Sequence, residues 1–163
     1  MLLLPFLAGC AAVPITPPRP AGADISRFAL AGRLTVRQAE TRHHVDIDWR
    51  HTPEGDRILL TTPFGQGVAE LARDEVGARL MLADGRRFEA DDWNELARKM
   101  FGVALPLEGA TRWLLGDLSE TGGWRVMIRE RENDAAEGLP TLIELERDDI
   151  AVRFKIDEWL EVK

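Results

Sequence analysis

The residue with the most informative chemistry in this chain is its single cysteine, Cys10. It ends the run Leu7-Ala8-Gly9-Cys10 directly after an apolar start. Leu-Ala-Gly-Cys is the pattern cut by the bacterial lipoprotein signal peptidase, which leaves the cysteine as a lipid-modified N-terminus. An apolar segment followed by small residues is typical of a signal peptide. The sequence therefore predicts a signal peptide at residues 1–9 and a lipid anchor at Cys10. A buried cysteine in an ordinary N-terminal element is the alternative.

The segment that follows the cysteine has the composition of a linker. Residues 10–23 contain four prolines, which lack the backbone donor that a strand or helix needs. The apolar residues 1–9 fall short of the roughly 20 that a spanning helix requires. No basic residue precedes Cys10, which is consistent with a start further upstream. We expect a lipidated tether over residues 10–23, anchored to a membrane without crossing it, and one domain over residues 24–163.

Side chains that could act as nucleophiles are few. The serines are Ser26 and Ser119, and neither lies in the Gly-x-Ser-x-Gly turn of the serine hydrolases. Acylation would block Cys10. The sequence therefore predicts no catalytic residue.

One strand offers a candidate metal site. His44, Asp46 and Asp48 alternate along the chain and would share one face of a strand, and such residue types can bind zinc. Alternating polar residues are, however, typical of any solvated strand face. We predict no metal and no cofactor.

Paired carboxylates invite comparison with hydrolases, in which two acids flank the bond that is cleaved. Each pair has a simpler local explanation: Asp91/Asp92 caps a helix, Glu144/Glu146 lies on an exposed strand face and Asp148/Asp149 forms a turn. We predict that the protein is not an enzyme, and an anchored hydrolase remains an alternative.

An aromatic residue stands in a predicted turn. Pro63-Phe64-Gly65 follows an apolar strand, and nothing in the local pattern requires Phe64 to be buried. Phe64 could fold back into the core, or it could be an apolar probe that enters a partner or a bilayer surface.

The charge balance argues against nucleic acid as a partner. The net charge is −7, with 28 acidic and 21 basic residues, and the basic residues are interleaved with acids. Binding to a phosphate backbone needs a basic footprint.

These residues must be positioned by a β-rich domain. Alternating apolar residues predict one strand from Phe28 to Arg37 and a second through Val45, Ile47 and Trp49, joined by a hairpin. Further strands are predicted at 58–62, 68–73, 78–83, 86–90, 124–128, 142–147 and 150–156. Helical periodicity predicts one helix after the cap at Asp91-Asp92 and another near residues 108–115. The expected fold class is α+β, an antiparallel sheet covered on one face by helices.

The order and spacing of short motifs resemble the LolB family of outer-membrane lipoprotein receptors. The resemblance runs through nearly all of the chain after the tether. The motifs are Phe28-Ala29-Leu30-Ala31-Gly32-Arg33-Leu34, Trp49, Leu59-Leu60-Thr61-Thr62-Pro63-Phe64-Gly65, Gly85, Ala90-Asp91-Asp92, Leu105-Pro106-Leu107, Arg112-Trp113-Leu114-Leu115-Gly116, Gly123-Trp124-Arg125-Val126 and Asp157-Glu158-Trp159-Leu160.

The resemblance implies a curled antiparallel sheet, forming a half-open barrel, whose concave face is covered by helices that enclose an apolar cavity for acyl chains. It also implies that Phe64, with Pro63 and Gly65, forms the loop that delivers cargo into the membrane. The tryptophans are assigned to the cavity, with four core tryptophans supporting the sheet as the alternative. The cavity residues are Leu30, Leu34, Val45, Ile47, Trp49, Leu60, Leu71, Leu96, Met100, Trp113, Trp124, Val126, Phe154 and Trp159.

The partners implied are the periplasmic carrier LolA, acylated lipoproteins as ligands and lipid of the outer membrane, with the protein a monomer anchored at the periplasmic face. Transfer would run downhill in affinity without nucleotide hydrolysis, because the sequence contains no nucleotide motif. A lipoprotein that scaffolds an outer-membrane assembly complex is the main alternative, and it predicts a solid core without a ligand-sized cavity.

Overall fold

The computed structural model describes residues 24–101 and 107–163 of the chain. The predicted signal peptide, Cys10 and the tether up to residue 23 lie outside the described residues. The side chains of residues 100, 101, 107 and 108 are likewise outside the description, and this includes the side chain of Met100.

The described residues form one antiparallel sheet of nine strands, in the order β6-β5-β4-β3-β2-β1-β9-β8-β7. The predicted antiparallel sheet is therefore confirmed, and an open, curled barrel fits it. The strands are β1 (Phe28–Gln38), β2 (Thr41–Thr52), β3 (Gly55–Thr61), β4 (Gly67–Asp74), β5 (Gly77–Leu82), β6 (Arg87–Ala90), β7 (Arg125–Arg131), β8 (Pro140–Arg147) and β9 (Ile150–Val162).

Two helices stand between β6 and β7. Helix α1 (Trp93–Phe101) begins where the sequence predicts, because Asp92 Oδ1 accepts a hydrogen bond from the Glu95 backbone N–H at 2.7 Å. Glu95 in turn accepts a hydrogen bond from the backbone N–H of Asp91, the residue before the cap, at 3.3 Å. Helix α1 packs against β5, β6 and helix α2 (Leu107–Leu114).

Strand alternation separates an apolar interior face from a polar outer face. In β1, Phe28 and Leu30 are buried, whereas Arg33 and Arg37 are exposed on the outer face. Gly32 is needed at the interior because a Cβ there would collide with the Lys155 carbonyl oxygen of β9. The strand β9 continues to Val162 and is therefore longer than the expected end near Ile156.

The register defines two ends of the sheet. The turns after β1, β3, β5 and β8 lie at one end, here called the tip end, which includes Phe64. The turns after β2 and β4 lie at the other end, here called the base end, which includes Asp56. Within the described part of the chain, no helix is long and apolar enough to cross a membrane.

Candidate functional site

An apolar pocket of about 110 Å³ lies against the interior face of the sheet. Strands β1, β2, β3, β4, β8 and β9 contribute to its wall, and α2 supplies the remainder. The lining residues that the structure describes are all apolar: Leu34, Val36, Ile47, Trp49, Ile58, Leu60, Leu71, Ala110, Trp113, Leu114, Ile143, Leu145, Val152 and Phe154.

In β1, β2 and β3, burial of the interior face falls from the base end toward the tip end. In β1, Phe28 and Leu30 are buried, whereas Leu34 and Val36 are half-buried. In β3, Ile58 is buried and Leu60 is half-buried. Because the half-buried members also line the pocket, the pocket is most accessible from the tip end.

The structure brings together part of the predicted cavity set. The members that line the pocket are Leu34, Ile47, Trp49, Leu60, Leu71, Trp113 and Phe154.

Other predicted cavity residues lie outside the pocket lining. Leu30 and Leu96 are each 1% exposed and belong to the packed core. Trp159 packs edge-on against Phe28, with ring centroids 5.5 Å apart, and so joins the core near the base end. Trp124 is also buried in the core, with the Arg147 guanidinium 5.9 Å from its ring centroid. Alternation identifies the interior face, but only the curvature of the sheet decides where that face leaves a space.

Two valines of the predicted cavity set also lie away from the pocket. Val45 and Val126 are both half-buried and lie outside the pocket lining. Val45 is opposite Leu34 in the β1–β2 register, and Val126 packs against the core from the edge strand β7.

The tryptophans that line the pocket direct their indole N–H groups to acceptors outside the lining. Trp49 Nε1–H donates to Asp56 Oδ1 at 2.9 Å, and Trp113 Nε1–H donates to the Glu120 carbonyl oxygen at 2.9 Å. An indole N–H left unpaired in an apolar wall would be costly. These bonds let two large rings line the pocket without exposing a donor to it.

Asp56 is a buried carboxylate that sequence analysis missed. It is 4% exposed and accepts hydrogen bonds from Trp49, from His51 Nδ1 at 2.7 Å and from Arg73 Nη2 at 2.6 Å. Burial would raise the pKa of this carboxyl, but the hydrogen bonds from His51, Trp49 and Arg73 outweigh burial and lower the pKa below its ordinary value. Asp56 therefore stays ionised and anchors the Trp49 indole at the base end of the pocket.

A sequence signal for Asp56 exists. Asp56, Ile58 and Leu60 share one face of β3, so an acid occupies a position where alternation demands an apolar residue. The other lining residues missed by the prediction belong to the predicted rows of β1, β3, β8 and β9 or to α2, and they are Val36, Ile58, Ala110, Leu114, Ile143, Leu145 and Val152.

Phe64 stands in the turn between β3 and β4 and is 92% exposed. The turn is closed by Gly65 N–H to the Thr62 carbonyl oxygen and by Thr62 N–H to the Gln66 carbonyl oxygen, both at 2.8 Å. Gly65 adopts a φ of +78°, which a residue with a side chain rarely adopts. The exposure of the ring shows that Phe64 does not fold back into the core.

Several of the candidate catalytic and metal groups have structural partners. Glu144 pairs with Arg129 at 2.8 Å, Glu146 pairs with Arg125 at 3.2 Å, and Asp92 caps α1. His44 Nδ1 is 2.9 Å from Thr35 Oγ1. Among residues 24–101 and 107–163, no three His, Cys, Asp or Glu side chains are grouped closely enough to hold a metal ion.

The fold and the pocket define a class of protein with an open antiparallel sheet around an apolar interior. The family model described as "Outer membrane lipoprotein LolB" matches residues 26–159. The outer-membrane lipoprotein LolB of Chromobacterium violaceum is 33% identical over 94% of this chain and 93% of its own length. The corresponding proteins of Nitrosomonas europaea and Dechloromonas aromatica are 34% and 30% identical, over 84% and 99% of this chain and 75% and 95% of their own lengths. The chain therefore belongs to the LolB family of outer-membrane lipoproteins, and it has a role in lipoprotein localisation.

Proposed function

We propose that this protein is a receptor, anchored through Cys10 at the periplasmic face of the outer membrane. It accepts acylated lipoproteins from the periplasmic carrier LolA into its apolar pocket and inserts them into the outer membrane. Residues 1–9 are the signal peptide, residues 10–23 the tether and residues 24–163 the binding domain. The domain acts as a monomer, and transfer requires no nucleotide hydrolysis.

The observation that carries this proposal is the apolar pocket and the placement of its polar atoms. Fourteen apolar side chains line the pocket, and its two tryptophans donate their N–H groups to acceptors outside the lining. An acyl chain gains about 0.8 kcal/mol for each methylene removed from water. A wall without exposed donors or acceptors lets that whole gain go to binding, because no polar group must be desolvated without a partner.

The size of the pocket indicates that its wall must move to admit an acyl chain. A volume of about 110 Å³ is smaller than the cavity of about 150 Å³ that holds a single benzene. The strand side of the wall is fixed by the hydrogen-bonded ladder. Among its described side chains, helix α2 contacts the space through Ala110, Trp113 and Leu114, so separation of α2 from the sheet is the change that enlarges the pocket. The helices thus serve as a movable cover over the concave face.

Delivery is assigned to the turn that contains Phe64. Burying a phenylalanine side chain contributes about 1.5–3 kcal/mol, and Phe64 forgoes this gain in the protein because it is exposed. Insertion of Phe64 into the bilayer would recover it, and would bring the tip end of the pocket to the membrane surface where the acyl chains must go. Pro63 and Gly65 hold the turn in the shape that presents the ring.

The direction of transfer follows from affinity. A carrier that binds acyl chains less tightly passes them to a receptor that binds them more tightly, and the bilayer removes them from the receptor. The anchor keeps the receptor at the destination membrane.

The test is transfer of a fluorescently labelled lipoprotein from a purified LolA carrier to the full chain carrying Cys10→Ala, followed by delivery into liposomes. We expect the label to move to the chain and then to the liposomes. Phe64→Glu should accept the label and deliver it poorly, whereas Phe64→Leu, which keeps an apolar side chain, should deliver it normally. Absence of label on the folded chain would refute the receptor role and favour the scaffold alternative.

A further inference from the structure

A cluster of arginines lies on the outer face of the sheet at the tip end. Arg37, Arg42 and Arg153 border a depression of about 200 Å³, together with Thr35. The register places Arg37 directly opposite Arg42 on β2, and it places Thr35 directly opposite Arg153 on β9. All three arginines are exposed. They are called the arginine cluster below.

One pair of the cluster, Arg37 and Arg42, places like charges directly opposite each other, whereas Arg153 lies directly opposite Glu144 in the β8–β9 register. Like charges directly opposite each other on neighbouring strands are destabilising. Within the described part of the chain, no carboxylate lies within 4.0 Å of any of the three guanidinium groups. Other arginines of the outer face are paired: Arg33 with Asp157 at 2.6 Å, Arg57 with Glu70 at 3.5 Å and Arg79 with Asp74 at 2.5 Å.

The acids that border the same depression are already engaged. Glu144 pairs with Arg129, and Glu146 pairs with Arg125, both from the edge strand β7. The depression therefore presents Arg37 and Arg42, which face each other across the β1–β2 ladder, and Arg153, whose cross-strand neighbour Glu144 is bonded to Arg129, in a chain whose net charge is −7. A guanidinium group binds a phosphate through two parallel hydrogen bonds, so an arginine cluster of this kind fits phosphate oxygens.

The position of the cluster points to the source of the phosphate. The ladder between β2 and β3 ends at the pair Asp46 and Thr61, and β2 extends four residues further to Arg42, or roughly 13 Å at the usual rise of a strand. The turn that contains Phe64 also extends beyond Thr61 in this direction. The arginine cluster and the exposed phenylalanine therefore project at the same end of the sheet.

We propose that the arginine cluster binds the headgroup phosphates of the membrane surface while Phe64 enters the apolar layer beneath them. This inference rests on the proposed delivery role of Phe64. The acids Glu40, Asp148 and Asp149 occupy the adjoining turns, so the attraction depends on short-range contact of the guanidinium groups with phosphates instead of on net charge. Two contacts of different chemistry would fix the orientation of the domain, which one inserted ring alone cannot do.

The experiment measures vesicle binding by flotation, using the full chain with Cys10→Ala. One set of vesicles contains phosphatidylcholine alone, and the other also contains phosphatidylglycerol. The variant Arg37→Gln/Arg42→Gln/Arg153→Gln is compared with Arg33→Gln/Arg57→Gln/Arg79→Gln, which removes the same charge from the same face but from paired arginines. Near-ultraviolet circular dichroism checks that both variants fold.

Each arginine of the cluster should contribute about fivefold to partitioning onto the anionic vesicles. The cluster variant should therefore lose most of the additional binding that phosphatidylglycerol provides, and the control variant should keep most of it. Arg42→Gln alone should lose about fivefold, and it gives the same comparison if the triple variant does not fold.

Several results would overturn the proposal. Equal losses in the two triple variants would show that only net charge matters. Normal vesicle binding with failed uptake from the carrier would assign the cluster to an acidic surface of the carrier. Tight binding of inorganic phosphate by the chain in calorimetry, at matched ionic strength and without vesicles, would assign it to a free anion.

Phe64→Ser is measured in parallel to separate this inference from the proposed function. We expect it to weaken binding to both kinds of vesicle. If Phe64→Ser has no effect while the cluster variant loses the anionic component, the delivery role of Phe64 fails and the phosphate contact stands. If Phe64→Ser weakens binding and the cluster variant does not, the phosphate contact fails and the delivery role of Phe64 stands.

Discussion

The β3–β4 hairpin places opposite kinds of residue in unusual environments at its two ends. At the base end, the carboxylate of Asp56 is buried. At the tip end, the ring of Phe64 is 92% exposed. The usual distribution is the reverse, since charged side chains are rarely buried and large apolar ones generally are.

The two ends differ in whether the unusual side chain has partners within the domain. Asp56 has its partners within the domain, because Trp49, His51 and Arg73 satisfy both carboxylate oxygens. Phe64 has no comparable compensation within the described part of the chain, because its ring remains almost fully exposed. A buried charge with internal partners is a structural device, whereas an exposed ring without them points to a partner outside the chain.

The largest effect is expected from Asp56→Ala. The change leaves Arg73, His51 and the Trp49 N–H without their acceptor, and breaking a buried ion pair generally costs about 3–5 kcal/mol. We expect about 3 kcal/mol, the lower end, because the Arg73 side chain is 38% exposed and water can replace part of the lost contact. Urea unfolding measures this loss.

Asp48→Ala, at an exposed position of β2, is the matched control and should change the free energy of unfolding by less than about 0.5 kcal/mol. An equal effect of the two substitutions would contradict the distinction between the two ends.

At the tip end, Phe64→Ser should affect delivery and leave stability unchanged. Because Phe64 buries little surface in the fold, the free energy of unfolding should change by less than about 0.5 kcal/mol. Loss of a burial worth about 1.5–3 kcal/mol should slow liposome delivery by about ten- to a hundredfold. A variant that unfolds more readily but delivers normally would place the role of Phe64 inside the fold.

The base end should also respond to acid. Because the pKa of Asp56 is lower in the folded protein than its ordinary value, the carboxylate contributes stability that is complete above the unfolded pKa, near 3.9. This contribution is lost as the pH falls through the folded pKa. Asp56→Asn should therefore have a shallower fall in the free energy of unfolding below about pH 5 than the wild-type chain.

Exposed acids do not contribute to the difference in pH dependence between wild type and Asp56→Asn. Asp74, whose pKa is lowered by its bond to the Val76 backbone N–H, is present in both chains and cancels. Identical pH profiles of wild type and Asp56→Asn would show that Asp56 does not titrate as the structure implies.

The smallest effect is expected from Val76→Ser. Val76 lies in the turn after β4 at the base end and is 88% exposed, so it matches Phe64 in exposure but not in position. The substitution should leave both stability and liposome delivery unchanged, as measured by urea unfolding and by transfer of the labelled lipoprotein. A delivery defect as large as that of Phe64→Ser would mean that an exposed apolar residue in a turn at either end of the sheet supports delivery.

The sequence was sufficient for the elements because their signals are local. Alternation in β1 and the cap at Asp92 each depend on residues adjacent in the chain, and both are confirmed. The sequence also identified Phe64 as a residue at a turn, because Pro63 and Gly65 flank it.

The pocket could be predicted only in part. Leu30 and Leu34 lie on the same face of one strand and have the same chemistry, yet only Leu34 lines the pocket. Trp113 and Trp159 are equally difficult to separate by type, and only Trp113 lines it. A core and a pocket use the same side chains, and the distance between opposite walls is not encoded in any single strand.

The amino-acid sequence by itself determined the antiparallel sheet, its apolar face, the cap of α1 and the family, because these follow from periodicity and from short motifs in order. Tertiary structure decided which apolar residues enclose a space, that Asp56 is buried among three donors, and that Arg37, Arg42 and Arg153 gather at the end that carries Phe64. The physical reason is that burial, ion pairing and wall separation depend on strands that are distant in sequence, and these strands meet only when the sheet curls.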